Sequence, residues 1–299
     1  MFWKRFISGF VILLITLLLG MLGGPVLAIA LCVISCIGFI EFTKASQVRE
    51  KGHHFNALEC IGLITICGYY VLLMITDPLW PFADAISEWL KSGAGMFNSF
   101  TIMALLIFST GFICILGSYI FSFPKFHINQ VAKAIFGMLY VGLMLSFIYC
   151  TRALPNGIYM VWMVFIPAWV CDTCAYFTGM LFGKHKLSPK LSPKKSIEGS
   201  IGGIVGASIA GGLLGWLYVA MNDDLSIRNI FIFAAIAFVG SIVSQCGDLA
   251  ASAVKRNYDV KDYGKLIPGH GGILDRFDSV LFTSPMVYFL MVLFVQIKG

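Results

Sequence analysis

"QCGDLAASAVKRNYDVKDYGKLIPGHGGILDRFDS", Gln245 to Ser279, decides how this chain is read. It follows residues 230–244, which carry no charge, and it mixes acids and bases before a second apolar run begins. An aspartate at the centre of a membrane helix costs roughly 2.5–3.5 kcal/mol. If the flanking apolar runs are membrane helices, something must compensate these charges, and finding it amounts to finding the function.

The rest of the chain settles the first half of that condition. Its 299 residues are 59% hydrophobic and 12% charged, with a mean hydropathy of +0.87, far from the balance of a soluble domain. Crossing a bilayer by helix takes roughly 20 mostly apolar residues. Segments of that kind recur at 6–23, 25–43, 58–76, 101–123, 134–153, 157–181, 200–221, 230–250 and 275–297. The expectation is an all-α polytopic membrane protein with about nine transmembrane helices. "MFWKRF" followed by an apolar core also fits a cleaved signal peptide, but Pro25 opens a second apolar segment almost at once, which favours an uncleaved first helix.

Basic residues resist translocation. Lys4 and Arg5, Lys44 to Lys51, Lys125 and Lys133, the lysines of 184–195 and those of 255–265 all fall on one side of this nine-span arrangement. The other side receives the acid-leaning stretches 77–95 and 222–229. The amino terminus is therefore expected in the cytoplasm and the carboxyl terminus outside. The net charge of +6 then belongs to the cytoplasmic face, where it suits anionic lipid headgroups and calls for no nucleic acid.

Most of the nine cysteines lie in apolar runs and read as small hydrophobes. "CDTC" (171–174) has redox spacing without a thioredoxin-like context. "GSIGGIVGASIAGGLLG" (199–215) pairs glycines 199/203, 202/206 and 211/215, the spacing of closely packed helices. It lacks the GxGxxG order of a dinucleotide fold, and "GMLFGKH" (179–185) is no Walker loop.

The chain changes character near its middle. Residues 1–155 hold few intramembrane charges, Glu41 and Glu59 being placed at span ends within reach of the interface, and read as a transmembrane scaffold. Residues 156–299 read as the catalytic region of the same membrane domain. Asp172, Asp248, Asp275 and Asp278 sit within or at the cytoplasmic ends of spans. Asp248, Ser252 and Arg256 recur at i, i+4 and i+8 with Lys255 beside them, and Asp275 and Asp278 share one helix face. Ion pairs within this set, such as Asp248 with Arg256 or Asp275 with Arg276, would hold helices together without chemistry. Taken as a group, acids at helix ends and bases in loops suit a divalent cation beside phosphate oxygens, the ligand set of Mg²⁺. "PGHGG" (268–272) places His270 among glycines able to present backbone N–H groups to an anion. His53 and His54 read as a solvated loop. The doubled Ser-Pro-Lys of 188–194 and the helix start at Glu198-Gly199 could cradle a triphosphate.

"SAVKRNYDVKDYGKLIPGHGGILDRFD" (252–278) resembles the signature of the phosphatidate cytidylyltransferase family, the CDP-diacylglycerol synthases, with every spacing kept. "QCGDL" (245–249) and "DTCAY" (172–176) are similar to two further family stretches. "SPKKSIEG" (192–199) resembles a third, with Ser196 and Ile197 where Thr and usually Trp stand. The resemblance implies Mg²⁺-dependent condensation of CTP with phosphatidate to CDP-diacylglycerol and pyrophosphate, in a bacterial plasma membrane with the site facing the cytoplasm. It implies catalytic roles for Asp172, Asp248, Lys255, Arg256, His270, Asp275, Arg276 and Asp278. Substrate contacts fall to Ser192, Lys194, Lys195, Glu198, Ser252, Lys261, Asp262, Gly271 and Gly272, and metal ligation to Asp248, Asp275 and Asp172. The expected partners are CTP, phosphatidate and the bilayer, with a homodimer left open. Two other readings stay in play: a CTP-dependent transferase acting on another lipid phosphate or a polyprenol, and a transporter.

Overall fold

The computed structural model of the protein describes residues 2–49, 55–77, 99–222, 227–267, 269 and 271–294. His53, His54, Pro268 and His270 lie outside the described residues, as does most of the two acid-leaning loops.

Nine apolar helices run through the described residues. They are α1 (Phe2–Leu22), α2 (Gly24–Ala45), α3 (Ala57–Ile75), α4 (Ser99–Phe121), α5 (Ile128–Arg152), α6 (Gly157–Phe182), α7 (Ile197–Met221), α8 (Ile227–Asn257) and α9 (Leu274–Phe294). All but α1 have at least 18 described residues of sufficient hydropathy to cross a bilayer, and the protein is an integral membrane protein. Two helices run further than hydropathy alone suggests. The first turn of α5 is polar, and the His127 N–H donates to Gln130 Oε1 at 2.9 Å across it. The 31 residues of α8, at about 1.5 Å each, make about 46 Å against about 30 Å of hydrocarbon. Its charged last turns can therefore stand clear of the bilayer, which explains how Asp248 to Arg256 can follow an apolar span without a break.

The backbone divides into two compact units, Met1–Tyr149 with Val260–Arg276, and Cys150–Asp259 with Phe277–Gly299. In the first, α3 begins on a reciprocal cap. Asn56 Oδ1 accepts from the Glu59 N–H at 2.9 Å, and Glu59 Oε2 accepts from the Asn56 N–H at 3.2 Å. Glu59 is fully buried and also takes the Thr43 hydroxyl at 2.7 Å and Arg49 Nε at 3.3 Å. Glu41 is 8% exposed. Both acids, expected at span ends, are buried within the protein. Each is held inside by donors from another segment of the unit, and the sequence position of a carboxylate does not reveal such donors.

In the second unit, α6 contains Pro167 and a widened turn over Ile166–Val170, a device that re-aims the residues following it. The helix α7 lies against α6 and α8 along its glycines, as their spacing predicts. A Cβ on Gly203 would stand 2.7 Å from the Cys171 carbonyl oxygen, and one on Gly211 would stand 2.9 Å from that of Phe233. Between α6 and α7 the lysine-rich loop forms a small antiparallel hairpin of β1 (Lys186–Ser188) and β2 (Ser192–Ser196), pairing Lys186 with Ser196 and Ser188 with Ser192. An all-α reading misses this hairpin because strand segments of three and five residues, with Pro189 between them and Pro193 inside the second, show no useful period.

Candidate active site

The hairpin runs directly into α7. Ser196 ends β2 and caps the helix, its Oγ accepting from the Gly199 N–H at 3.2 Å. Glu198, in the first turn, reaches back to the hairpin's start. Its carboxylate accepts from the Lys184 N–H at 3.1 Å and meets His185 Nδ1 at 2.6 Å, while the Ile197 N–H donates to the His185 carbonyl at 2.9 Å. Glu198, expected to contact substrate, is thus seen organising the loop. That leaves Lys194 and Lys195 on a strand tied at both ends.

Those lysines line a cavity of about 510 Å³ together with Asp172 and Tyr176 of α6, Ser192, and Asp248 of α8. Its floor is polar. Gln245 Nε2 donates to the Ser200 carbonyl at 3.2 Å and to Cys171 Sγ at 3.4 Å, while the Ser200 hydroxyl donates to Gln245 Oε1. Gln245 thereby links α6, α7 and α8 one turn before Asp248. The sequence reading used Gln245 only as part of a motif. A lone amide in an uncharged apolar run was the available sign that it has partners there.

Lys195 Nζ forms an ion pair with Asp248 Oδ2. Burial is the largest single influence and works against its charge, but the attraction and hydrogen bond of Asp248, with Asp172 and Asp278, together outweigh it, so the ammonium is held above its ordinary 10.5. Carboxylates from α6, α8 and α9 thus act on one amine. Asp278 is buried; its Oδ1 accepts from the Ser279 N–H at 2.8 Å, and its Oδ2 lies 3.8 Å from Lys255 Nζ. Asp248 takes Lys195 from the hairpin and not Arg256, the pair that spacing along α8 suggested, and Asp278 takes Lys255 from α8. Ser252 and Arg256 lie on α8 in the same unit but do not line the cavity, and Arg256 is exposed.

The remaining expected site residues belong to the first unit. Asp275 is buried, and its Oδ2 accepts from the N–H groups of Tyr263 at 2.8 Å and Gly272 at 3.0 Å. Gly271 adopts φ 87°, a backbone that favours glycine; a Cβ there would meet Asp275 Oδ2 at 3.0 Å. Lys261, Asp262 and Arg276 are exposed, and Gly272 is buried. Glu41 also belongs here, accepting from the backbone of Ile273 and Leu274. The sequence reading placed Glu41 at a span end without these donors, which lie more than two hundred residues away along the chain.

The cavity of the second unit therefore offers carboxylate oxygens to a cation and ammonium groups to anionic oxygens. Comparison with known proteins shows what the chain is similar to. Residues 3–294 match the model of a family described as the cytidylyltransferase family. A phosphatidate cytidylyltransferase of Staphylococcus aureus (strain COL) is 31% identical over 295 residues, covering 96% of this chain and 98% of the relative. Relatives of the same name in Staphylococcus haemolyticus and Staphylococcus epidermidis (strain ATCC 12228) are 30% and 31% identical, with the same coverage.

Proposed function

The chain belongs to the cytidylyltransferase family, and from that premise we propose that it is a phosphatidate cytidylyltransferase, joining CTP and phosphatidate into CDP-diacylglycerol with release of pyrophosphate. One observation carries the residue assignment: Lys195 of the hairpin pairs with Asp248 of α8, and both line one cavity with Asp172 of α6.

In the reaction, an oxygen of the lipid phosphate attacks the α-phosphorus of CTP, and the bond from that phosphorus to the bridging oxygen of the β-phosphate breaks. The nucleophile is already anionic and needs no general base. The obstacle is the approach of one anion to another, which catalysis of this class overcomes by positioning and fixed positive charge. Lys194 and Lys195 would hold triphosphate oxygens, with Lys255 and Arg256 serving phosphates from α8. Ser192 would donate from the hairpin. Ala175, Tyr176, Met180 and Leu187 supply an apolar wall suited to the glyceride portion of the lipid.

The donor set fits a divalent cation of the magnesium type. Oxygen ligands from one or two carboxylates plus substrate phosphates are what Mg²⁺ prefers, and a cation, the Lys195 ammonium, already sits on Asp248. Asp172 and Asp248 would hold the ion, with Asp278 beside them. When bound, Mg²⁺ would neutralise phosphate oxygens and polarise the phosphorus under attack. By resemblance to the family, Asp275 is also assigned to metal ligation, and Arg276 and His270 to phosphate contact. The basic loops support a reaction on the cytoplasmic face of a bacterial plasma membrane, with the amino terminus on that side, because basic residues resist translocation.

The test is turnover of purified protein in detergent with labelled CTP, phosphatidate and Mg²⁺. Pyrophosphate release that requires phosphatidate is the expected result. Release only with a polyprenyl or other lipid phosphate would overturn the substrate, and no release with any of them would overturn the activity.

A further inference from the structure

The sulfurs of Cys32, Cys36 and Cys67 lie within 4.8 Å of one another. Cys32 and Cys36 are one turn apart on α2, so their side chains share a face, and Cys67 comes from the middle of α3, its Sγ 3.6 Å from that of Cys36. All three are free thiols; Cys32 and Cys36 are half-buried and Cys67 is exposed on its helix. The transferase reading uses none of them. We propose that these three cysteines form a binding site for a soft monovalent metal ion, Cu(I), bridging α2 and α3.

Softness selects the class, because thiolate sulfur favours Cu(I), zinc and iron–sulfur centres over harder ions. Ligand number narrows it. With metal–sulfur bonds of about 2.3 Å, three ligands in a plane around an ion stand about 4 Å apart. That spacing falls between the observed 3.6 Å contact and the 4.8 Å limit. Structural zinc takes four ligands. Among the described residues the group contains three cysteines and no histidine, aspartate or glutamate, and the neighbouring Ser35 hydroxyl is engaged with the Tyr70 hydroxyl at 2.9 Å. Charge points the same way. All three cysteines lie near mid-span, where uncompensated charge is costly. A monovalent ion is neutralised by one thiolate, whereas a divalent ion requires two. Ion binding would staple α2 to α3 within the first unit.

The test uses the full chain in detergent, reduced and free of oxygen, titrated with Cu(I) against the competing chelator bicinchoninate. The expected result is one ion retained per chain, with X-ray absorption showing three sulfur neighbours at about 2.3 Å. Cys36→Ser and Cys67→Ser should each weaken retention by more than the roughly 10–100-fold typical of losing an outer-shell partner. Cys60→Ser and Cys114→Ser should retain the ion as the natural chain does. Cys67 is exposed, so its substitution separates loss of the ion from loss of the fold, with the unfolding temperature measured alongside. Failure of the natural chain to compete with the chelator would overturn the site, as would equal weakening by the Cys60 or Cys114 substitution. Preference for zinc with a fourth, lighter ligand would overturn the monovalent assignment.

Discussion

The Glu41 carboxylate accepts a hydrogen bond from the backbone N–H of Leu274 at 2.8 Å, and Ile273 donates a second at 3.1 Å. These N–H groups belong to the unsatisfied start of α9, where a negative charge is favoured. An acid on the second helix of the chain thus caps the last one. Gly264 and Gly272 close around the carboxylate, and a side chain at either would collide with it.

Glu41→Ala would leave two buried donors without this acceptor, at a cost of about 1–3 kcal/mol. A lower unfolding temperature in detergent is the expected reading. Glu41→Gln keeps an accepting oxygen and should lose less. Equal unfolding temperatures for the alanine variant and the natural chain would remove the capping role.

Asp172→Asn and Asp248→Asn should lower turnover by about 100-fold or more, the scale of removing one electrostatic contributor to a transition state; Asp248→Asn should also lower the unfolding temperature, because Lys195 loses its partner. Asp275→Asn should lower turnover likewise, because an amide oxygen can still accept from Tyr263 and Gly272 while the charge is gone. Near-natural turnover in any of the three would remove that residue from the metal set.

Chelation should abolish turnover, and added Mg²⁺ should restore it. Turnover that persists after exhaustive chelation would exclude the divalent requirement.

Lys195 is held above its ordinary 10.5 because, against the effect of burial, Asp248, Asp172 and Asp278 together favour its charge. A raised folded value means that the stabilisation is fully present below the unfolded value and is lost as pH rises through the folded one. The difference in unfolding temperature between the natural chain and Lys195→Met should therefore still be present at about pH 9 and shrink above about pH 10.5. A difference already lost by about pH 9 would contradict the pairing.

Ser196→Ala removes the cap of α7 and should cost about 1 kcal/mol. The same helix start carries Glu198 and the hairpin, so turnover should fall together with stability. Unchanged turnover and stability would show that the hairpin is held by its other bonds alone.

Much of this was legible in the chain. The apolar runs marked nine helices, because burying that much hydrocarbon leaves few alternatives, and the glycine pairs of α7 marked a close approach that the structure bears out at Gly203 and Gly211. The motif residues pointed to the family. The hairpin was not legible, its strands being too short for a period to show, and neither was the burial of Glu59, whose donors Thr43 and Arg49 come from the preceding helix and the loop after it.

What the sequence determined by itself is what local geometry governs: which segments are helical, and which residues share a face at 3.6 residues per turn. Only the tertiary structure decided that Asp248 takes Lys195 and that Glu41 caps α9. The physical reason is that a charge in an apolar setting goes to whichever partner packing brings near, and that choice depends on contacts between segments that helical spacing does not encode.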